Sequence, residues 1–203
     1  MFFEPARGHG LPHDPFKALV APRPIGWIST RAADGRLNLA PYSFFNAVSS
    51  RPPIVMFSSE GDKDSIAFAR ESGEFVVNIV GRAQFDAMNA SSADAPRGVS
   101  EFALAGLDAA PSRVVAAPRV AGAPASLECR VTEILVPKDA AGRPTGVFVA
   151  FGEVVGIHID DQFVIDGRFD IVRAGLIARL GYMDYAPIAS VFARERPKYR
   201  GQE

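Results

Sequence analysis

The chain has little of several things that would otherwise define it. It carries one cysteine, Cys129, so no internal disulfide can form. That points to a reducing compartment and predicts a soluble, cytoplasmic protein. Neither sign of charge dominates: Lys plus Arg number 22 and Asp plus Glu 23. The balance gives no global reason to bind nucleic acid or an anionic membrane. Long apolar runs are missing too. The longest, residues 147–151, falls far short of a membrane span. Phe2 and Phe3 are not followed by an apolar stretch, so no signal peptide is expected.

Familiar catalytic signatures are also absent. There is no phosphate loop of the Walker type. Gly8-His9-Gly10 starts a glycine pattern without its third glycine or a preceding strand. No Gly-x-Ser-x-Gly elbow occurs. His9, His13 and His158 are scattered and Cys129 does not join them, which argues against a zinc site. No pair of carboxylates stands out as acid and base.

What is present is β-rich. Apolar residues make up 48% of the chain, enough for a sizeable core. Glycine and proline punctuate short apolar segments. Strands are predicted over 25–31, 37–40, 54–58 and 75–80, with Asp34-Gly35 as a turn between the first two. Over 127–131, Leu127, Cys129 and Val131 alternate with Glu128 and Arg130, which predicts one dry and one wet face. A polar loop over 137–146 leads to a long strand over 147–159, with Gly152 and Gly156 marking bulges or bends. Helices are predicted from Asp62 or Lys63 to Ser72, over 82–90 and over 99–105, the first and last stopped by Gly73 and Gly106. Residues 1–15 are turn-rich, and the charged run 193–203 is expected to fray. Many strands, few helices and no βαβ alternation predict a mainly β fold, an antiparallel barrel of Greek-key type with a few helices. One domain over 1–203 is expected, with its core at about 16–186.

Three segments then stand out in order and spacing. They are Arg23-Pro24-Ile25-Gly26-Trp27-Ile28-Ser29-Thr30, Asn38-Leu39-Ala40-Pro41-Tyr42-Ser43-Phe44-Phe45-Asn46 followed by Pro52-Pro53, and Lys63-Asp64-Ser65. Glu74-Phe75-Val76-Val77-Asn78, Glu101-Phe102 with Gly106-Leu107, Leu127-Glu128-Cys129, Gly152-Glu153-Val154-Val155, and Ala178-Arg179-Leu180-Gly181 with Tyr185 accompany them. The whole pattern resembles the flavin reductase-like FMN-binding split-barrel family, including the flavin reductase components of two-component monooxygenases.

The resemblance implies FMN as cofactor, NAD(P)H as co-substrate, and hydride transfer from nicotinamide to flavin. An FMN-binding or storage module without turnover is the alternative. It further implies a homodimer and a partner monooxygenase. The residues it places beside the flavin are Arg23, Trp27, Ser29, Thr30, Pro41, Tyr42, Ser43, Phe45, Asn46, Lys63, Asp64, Ser65 and Tyr182. No residue is singled out as catalytic and no metal ligand is expected.

The chemistry of these residues suits such a ligand. FMN needs an apolar wall, backbone donors and acceptors, and a cationic or amide-lined phosphate pocket. Pro41 is expected to interrupt strand pairing and so to expose backbone groups. Ser29 and Thr30 have hydroxyls to donate, and Arg23 can supply charge-assisted bonds. Lys63 and Ser65 open a helix whose N-terminus favours an anion, with Asp64 as its cap. Trp27 either flanks the flavin or is core. Asn78 either pins a loop or approaches the ligand. His158 is structural, solvated or nicotinamide-facing. The chain departs from the family at Arg173-Ala174-Gly175-Leu176, where a proline is usual, and at Tyr182, where a second glycine is usual.

Overall fold

The structure is a computed structural model that describes residues 1–96, 98–197 and 199. The run 193–203 therefore lies partly outside the described residues. The strands are β1 (Arg23–Pro24), β2 (Gly26–Arg31), β3 (Leu37–Tyr42), β4 (Phe45–Ser50), β5 (Pro53–Glu60), β6 (Glu74–Ile79), β7 (Ala109–Ala110) and β8 (Arg119–Val120). They continue with β9 (Ala125–Leu135), β10 (Val147–Ile159), β11 (Val164–Ile165), β12 (Arg168–Phe169), β13 (Ile177–Arg179) and β14 (Tyr185–Pro187). The α-helices are α1 (Phe16–Leu19), α2 (Asp64–Ser72), α3 (Phe85–Ala90) and α4 (Glu101–Leu104).

Seven strands form one antiparallel sheet in the order β3-β2-β6-β9-β10-β5-β4. Its two edge strands are joined by only Ser43 and Phe44. So short a link cannot cross an open seven-stranded sheet, because neighbouring strands lie ~4.8 Å apart. The sheet therefore curls until β3 and β5 face each other, and Tyr42 meets Phe57 with ring centroids 5.0 Å apart. The result is a split antiparallel barrel, mainly β with few helices, as the sequence predicts. Its interior holds Ile28, Phe45, Val55, Phe57, Phe75, Val77, Cys129 and Ala150, with Ile66 and Ala69 of α2 closing one end. A second cluster around Trp27, Leu39, Met88 and Phe102 lies on the other face of β2 and β3.

Pro41 does not break the ladder. Pairing with β2 runs through Trp27↔Pro41 to Gly26↔Tyr42. The reason is geometric: β3 is an edge strand, and the Leu39 N–H, two residues away and so on the same side, points outward to Glu101 at 3.0 Å. The N–H that proline lacks would likewise have pointed off the sheet.

Strand β10 has the predicted bounds, with register shifts between Phe151 and Gly152 and between Val154 and Gly156. The alternation on β9 fails at Glu128, which was expected on the wet face but is 0% exposed. The segment 113–115 covers that face and gives Glu128 three backbone N–H donors at 2.6–3.0 Å. Helix α2 ends as expected, with Gly73 at φ 72°. Its start differs: the N-cap is Lys63, and Asp64 sits inside the first turn, accepting from the Gly98 N–H at 3.0 Å. Among the described residues no helix is long and apolar enough to cross a membrane.

Candidate functional site

The seam between β3 and β5 opens into a cleft of about 570 Å³. That is within the range of small-molecule sites, roughly 300–1,000 Å³. One wall is Ala40, Pro41, Tyr42, Ser43 and Phe44. The facing wall is the end of β5 and the loop into α2, from Ser58 to Ser65. Ser91 to Ala95, following α3, close one side, and Lys17 of α1 stands at the rim. The split in the barrel thus creates the cleft. Across it the walls meet where the Ser58 N–H donates to the Phe44 carbonyl at 2.8 Å.

A chain of buried polar groups forms the floor. Ser65 Oγ donates to Asn38 Oδ1 at 2.6 Å, and Asn38 Nδ2 donates to Glu101 Oε2 at 3.0 Å. The same Glu101 oxygen takes the Leu39 N–H. Thr30 Oγ1 lies 3.5 Å from Asn38 Oδ1, behind the floor. Burial pushes the Tyr42 phenol up from the ordinary tyrosine range, against the opposing influence of the Ser65 and Ser59 hydroxyls. These partners satisfy groups that would otherwise be costly to bury.

The charges divide between bound and presented groups. Glu60 lies 4.0 Å from Lys17 Nζ, and Asp62 accepts from Arg70 at 3.0 Å. Asp64 is turned to Gly98. Lys63, exposed at the N-terminus of α2, brings positive charge to the end of the cleft where the helix dipole is also positive.

Of the residues expected at a ligand, Pro41, Tyr42, Ser43, Lys63, Asp64 and Ser65 come together around this cleft. The others lie elsewhere. Trp27 is core: it is fully buried, with its Nε1 donating to Ser91 Oγ at 2.9 Å. Ser29 is buried with its hydroxyl on the Pro118 carbonyl at 2.5 Å, and Thr30 is equally enclosed. Strand β2 is central to the fold and is covered on both faces, which removes both hydroxyls from solvent. The Arg23 guanidinium is consumed by carbonyls of Lys17, Val20 and Leu180 and reaches Ser43 Oγ at 3.3 Å, so it clamps the cleft wall from behind. Phe45 turns into the barrel and fills the space over Gly26, where a Cβ would come within 2.7 Å of its ring. Asn46 is exposed on edge strand β4, bonded to the Ala47 N–H. Tyr182, at φ 55°, is half-exposed and meets His13 edge-on at 5.8 Å, away from the cleft.

Asn38, Ser59, Glu101 and the 91–95 segment belong to the site but were not assigned to it from sequence. Asn38 and Glu101 stood in the quoted motifs without a role. The signal available was their type, polar residues beside apolar ones, which demands partners. Asn78 resolves as a pin: it donates to the Trp27 carbonyl and Ser29 Oγ and accepts from the Val120 N–H and Ser126. His158 is structural, set against Glu128 far along β10.

Similarity to known proteins agrees with this architecture. The family profile described as "Flavin reductase like domain" matches residues 19–171. An uncharacterized protein of Deinococcus radiodurans is 40% identical over 177 residues, covering 81% of this chain and 74% of that one. The crystal structure of nitrilotriacetate monooxygenase component B from Bacillus cereus superposes with TM-score 0.86 at 29% identity, covering 96% of this chain and 98% of the other. That of 2-nitrobenzoate 2-nitroreductase from Pseudomonas fluorescens gives TM-score 0.80 at 26% identity, covering 92% and 91%. With its curled sheet, its seam and the profile match across most of its length, this chain belongs to the flavin reductase-like family.

Proposed function

We propose that the protein is a flavin oxidoreductase that holds FMN in the seam cleft and draws hydride from NADH or NADPH. One observation carries the reading: a single cleft joins a partly apolar wall, Pro41 to Phe44, to a cationic helix N-terminus at Lys63. The residues present fit such a ligand. The flat ring system suits the Pro41, Tyr42 and Phe44 wall, and a phosphate suits Lys63 and the first turn of α2. When bound, the flavin supplies the hydride-accepting chemistry, so no acid–base dyad is required of the protein.

The protein's own part is to bind, orient and admit. Lys63 and the α2 N-terminus hold the anionic tail. Ser43 is steadied by Arg23 and keeps the seam wall in register. The cleft is open at its mouth, and Tyr182 stands away from it, which leaves room for a nicotinamide to enter. Exposed Ile157 and Ile159 on β10 and Val48 on β4 are apolar surface that a second copy of the chain would cover, in line with a homodimer. The likeness to a monooxygenase component supports a role in passing reduced flavin to a partner oxygenase.

The test is spectroscopic. Protein saturated with FMN should lose its visible flavin band on anaerobic addition of NADH or NADPH and regain it in air. Binding without bleaching by either nicotinamide would leave an FMN-binding module and overturn the reductase reading.

A further inference from the structure

We infer that Trp27 is a positioning residue for the cleft: its buried indole N–H pins Ser91 and so fixes the wall formed by residues 92–95 against the ligand. The inference rests on the flavin-binding reading above and deepens it, by naming what holds one side of that site in place.

Trp27 lies on the central strand β2 and is 0% exposed. An indole nitrogen can only donate, and a buried one needs an acceptor. It finds Ser91 Oγ at 2.9 Å, 64 positions along the chain. The Ser91 hydroxyl spends its own proton on the Met88 carbonyl at 2.7 Å, which leaves its lone pairs for the indole. Ser91 is itself 1% exposed, so water does not compete for either bond. Its N–H closes on the Ala87 carbonyl at 3.0 Å. The end of α3 is thereby tied to the sheet. Helix α3 has only six residues, too few to hold its shape alone, and Met88 packs in the same buried cluster as Trp27.

Residues 92–95 leave this anchor to line the cleft. Ser92, Ala93, Asp94 and Ala95 have small side chains, and the first three are exposed. Among the described residues their hydrogen bonds are local. Ser92 bonds to the Asn89 carbonyl, Ala93 to that of Ala90 and Ala95 to that of Ala93. None reaches the barrel, so the wall is held from its ends. One end is Ser91, on the indole of β2. The other is Gly98, whose N–H donates to Asp64 in the first turn of α2 at 3.0 Å. Releasing the first end lets the wall swing on the second, beside the place assigned to the phosphate.

The experiment joins amide hydrogen exchange on the ligand-free protein to FMN titration, for the parent, Trp27→Phe, Ser91→Ala and the double variant. Each single variant removes one partner of the bond. Exchange over 88–95 should quicken about tenfold in both, while β6 and β9 keep the parent's protection. The FMN dissociation constant should rise roughly threefold to tenfold in each. The double variant should bind FMN no more weakly than the weaker single, because both cut the same bond. Saturating FMN should slow exchange over 92–95 in every protein, since the wall and the ligand order each other. Unchanged exchange over 88–95 in Ser91→Ala would overturn the pin. So would a loss of protection spread evenly through the sheet in both single variants. Faster exchange with unchanged FMN affinity, or affinity losses that add in the double variant, would overturn the positioning role. A parent that binds no flavin would sink the flavin-binding reading and the ligand half of this inference together. The exchange measurement, made without ligand, would still decide whether the indole holds the wall.

Discussion

Glu128 of β9 and His158 of β10 stand side by side, with one Glu128 oxygen against His158 Nε2 and the other on the Val114 and Val115 N–H groups. Burial alone would raise the Glu128 pKa. Hydrogen bonds from Arg113, His158, Val114 and Val115 outweigh it and bring the carboxyl down from 4.5 to about 2. A depressed folded pKa adds stability that is complete above the unfolded value. That stability drains away as pH falls from about 4.5 towards 2. The shift corresponds to about 3 kcal/mol. Denaturant unfolding should show this loss across that window. Glu128→Gln should be less stable by about 2–3 kcal/mol at pH 7 and should lose most of the acid-dependent slope. An unchanged slope in the variant would move the acid sensitivity to other groups.

Lys63 tests the phosphate end of the cleft. It caps α2 without a side-chain hydrogen bond of its own, so its removal should leave the helix intact. Lys63→Ala should raise the FMN dissociation constant roughly tenfold, with riboflavin unchanged. Raising ionic strength should narrow the gap between variant and parent, because an exposed charge is screened. Equal affinity of the parent for FMN and riboflavin would remove the phosphate from this end.

Gly181 sets where α1 sits, and with it Lys17. A Cβ at Gly181 would fall 2.3 Å from Ala18 Cβ and 2.7 Å from its Cα. Helix α1 cannot simply retreat, because Arg23 ties the Lys17 and Val20 carbonyls to that of Leu180. Gly181→Ala should therefore cost about 1–3 kcal/mol and disturb the Lys17 rim of the cleft. Thermal unfolding and FMN titration of the variant would check both effects. A Tm equal to the parent's would mean that the α1 contact gives way freely.

Cys129 lies at the centre of the barrel core, 0% exposed, and burial pushes its thiol up, away from the reactive thiolate. The folded protein should react with a thiol reagent only as fast as it unfolds. In denaturant one equivalent should react promptly. Rapid stoichiometric labelling under native conditions would contradict the closed core.

Much of the architecture was legible because period and punctuation are local. Strand β10 could be bounded from residues 147–159 because a polar loop precedes an unbroken β pattern with glycines at its bends. The failures share one cause, which is cover supplied by distant segments. Alternation placed Glu128 in water, but the 113–115 segment, some fourteen residues earlier, lies over it. Ser29 and Thr30 have the right chemistry for a ligand, but they point to opposite faces of β2, and both faces are covered by distant segments, so both hydroxyls are enclosed. Glu101 and Asn38 were visible as polar residues without any hint that 63 positions of chain would fold to join them. Pro41 failed as a breaker for a different reason: which strand is an edge is a property of the whole sheet.

Tyr182 offers the last prediction. Its φ of 55° is a backbone state that side chains resist. Glycine would relieve that strain, while losing the edge contact with His13 and gaining chain entropy in the unfolded state. The opposing terms are each about 1 kcal/mol, so Tyr182→Gly should change stability by no more than about 1 kcal/mol in either direction. Tyr182 is 51% exposed and does not line the cleft, so FMN affinity and the rate of bleaching by nicotinamide should match the parent. Stopped-flow reduction and flavin titration on both proteins would decide it. Faster reduction in the variant would mean that the ring shades the cleft mouth in solution. A tenfold loss of FMN would mean that Tyr182 walls a flavin after all, from a neighbouring copy of the chain, and sedimentation at the same concentrations would then have to show a dimer.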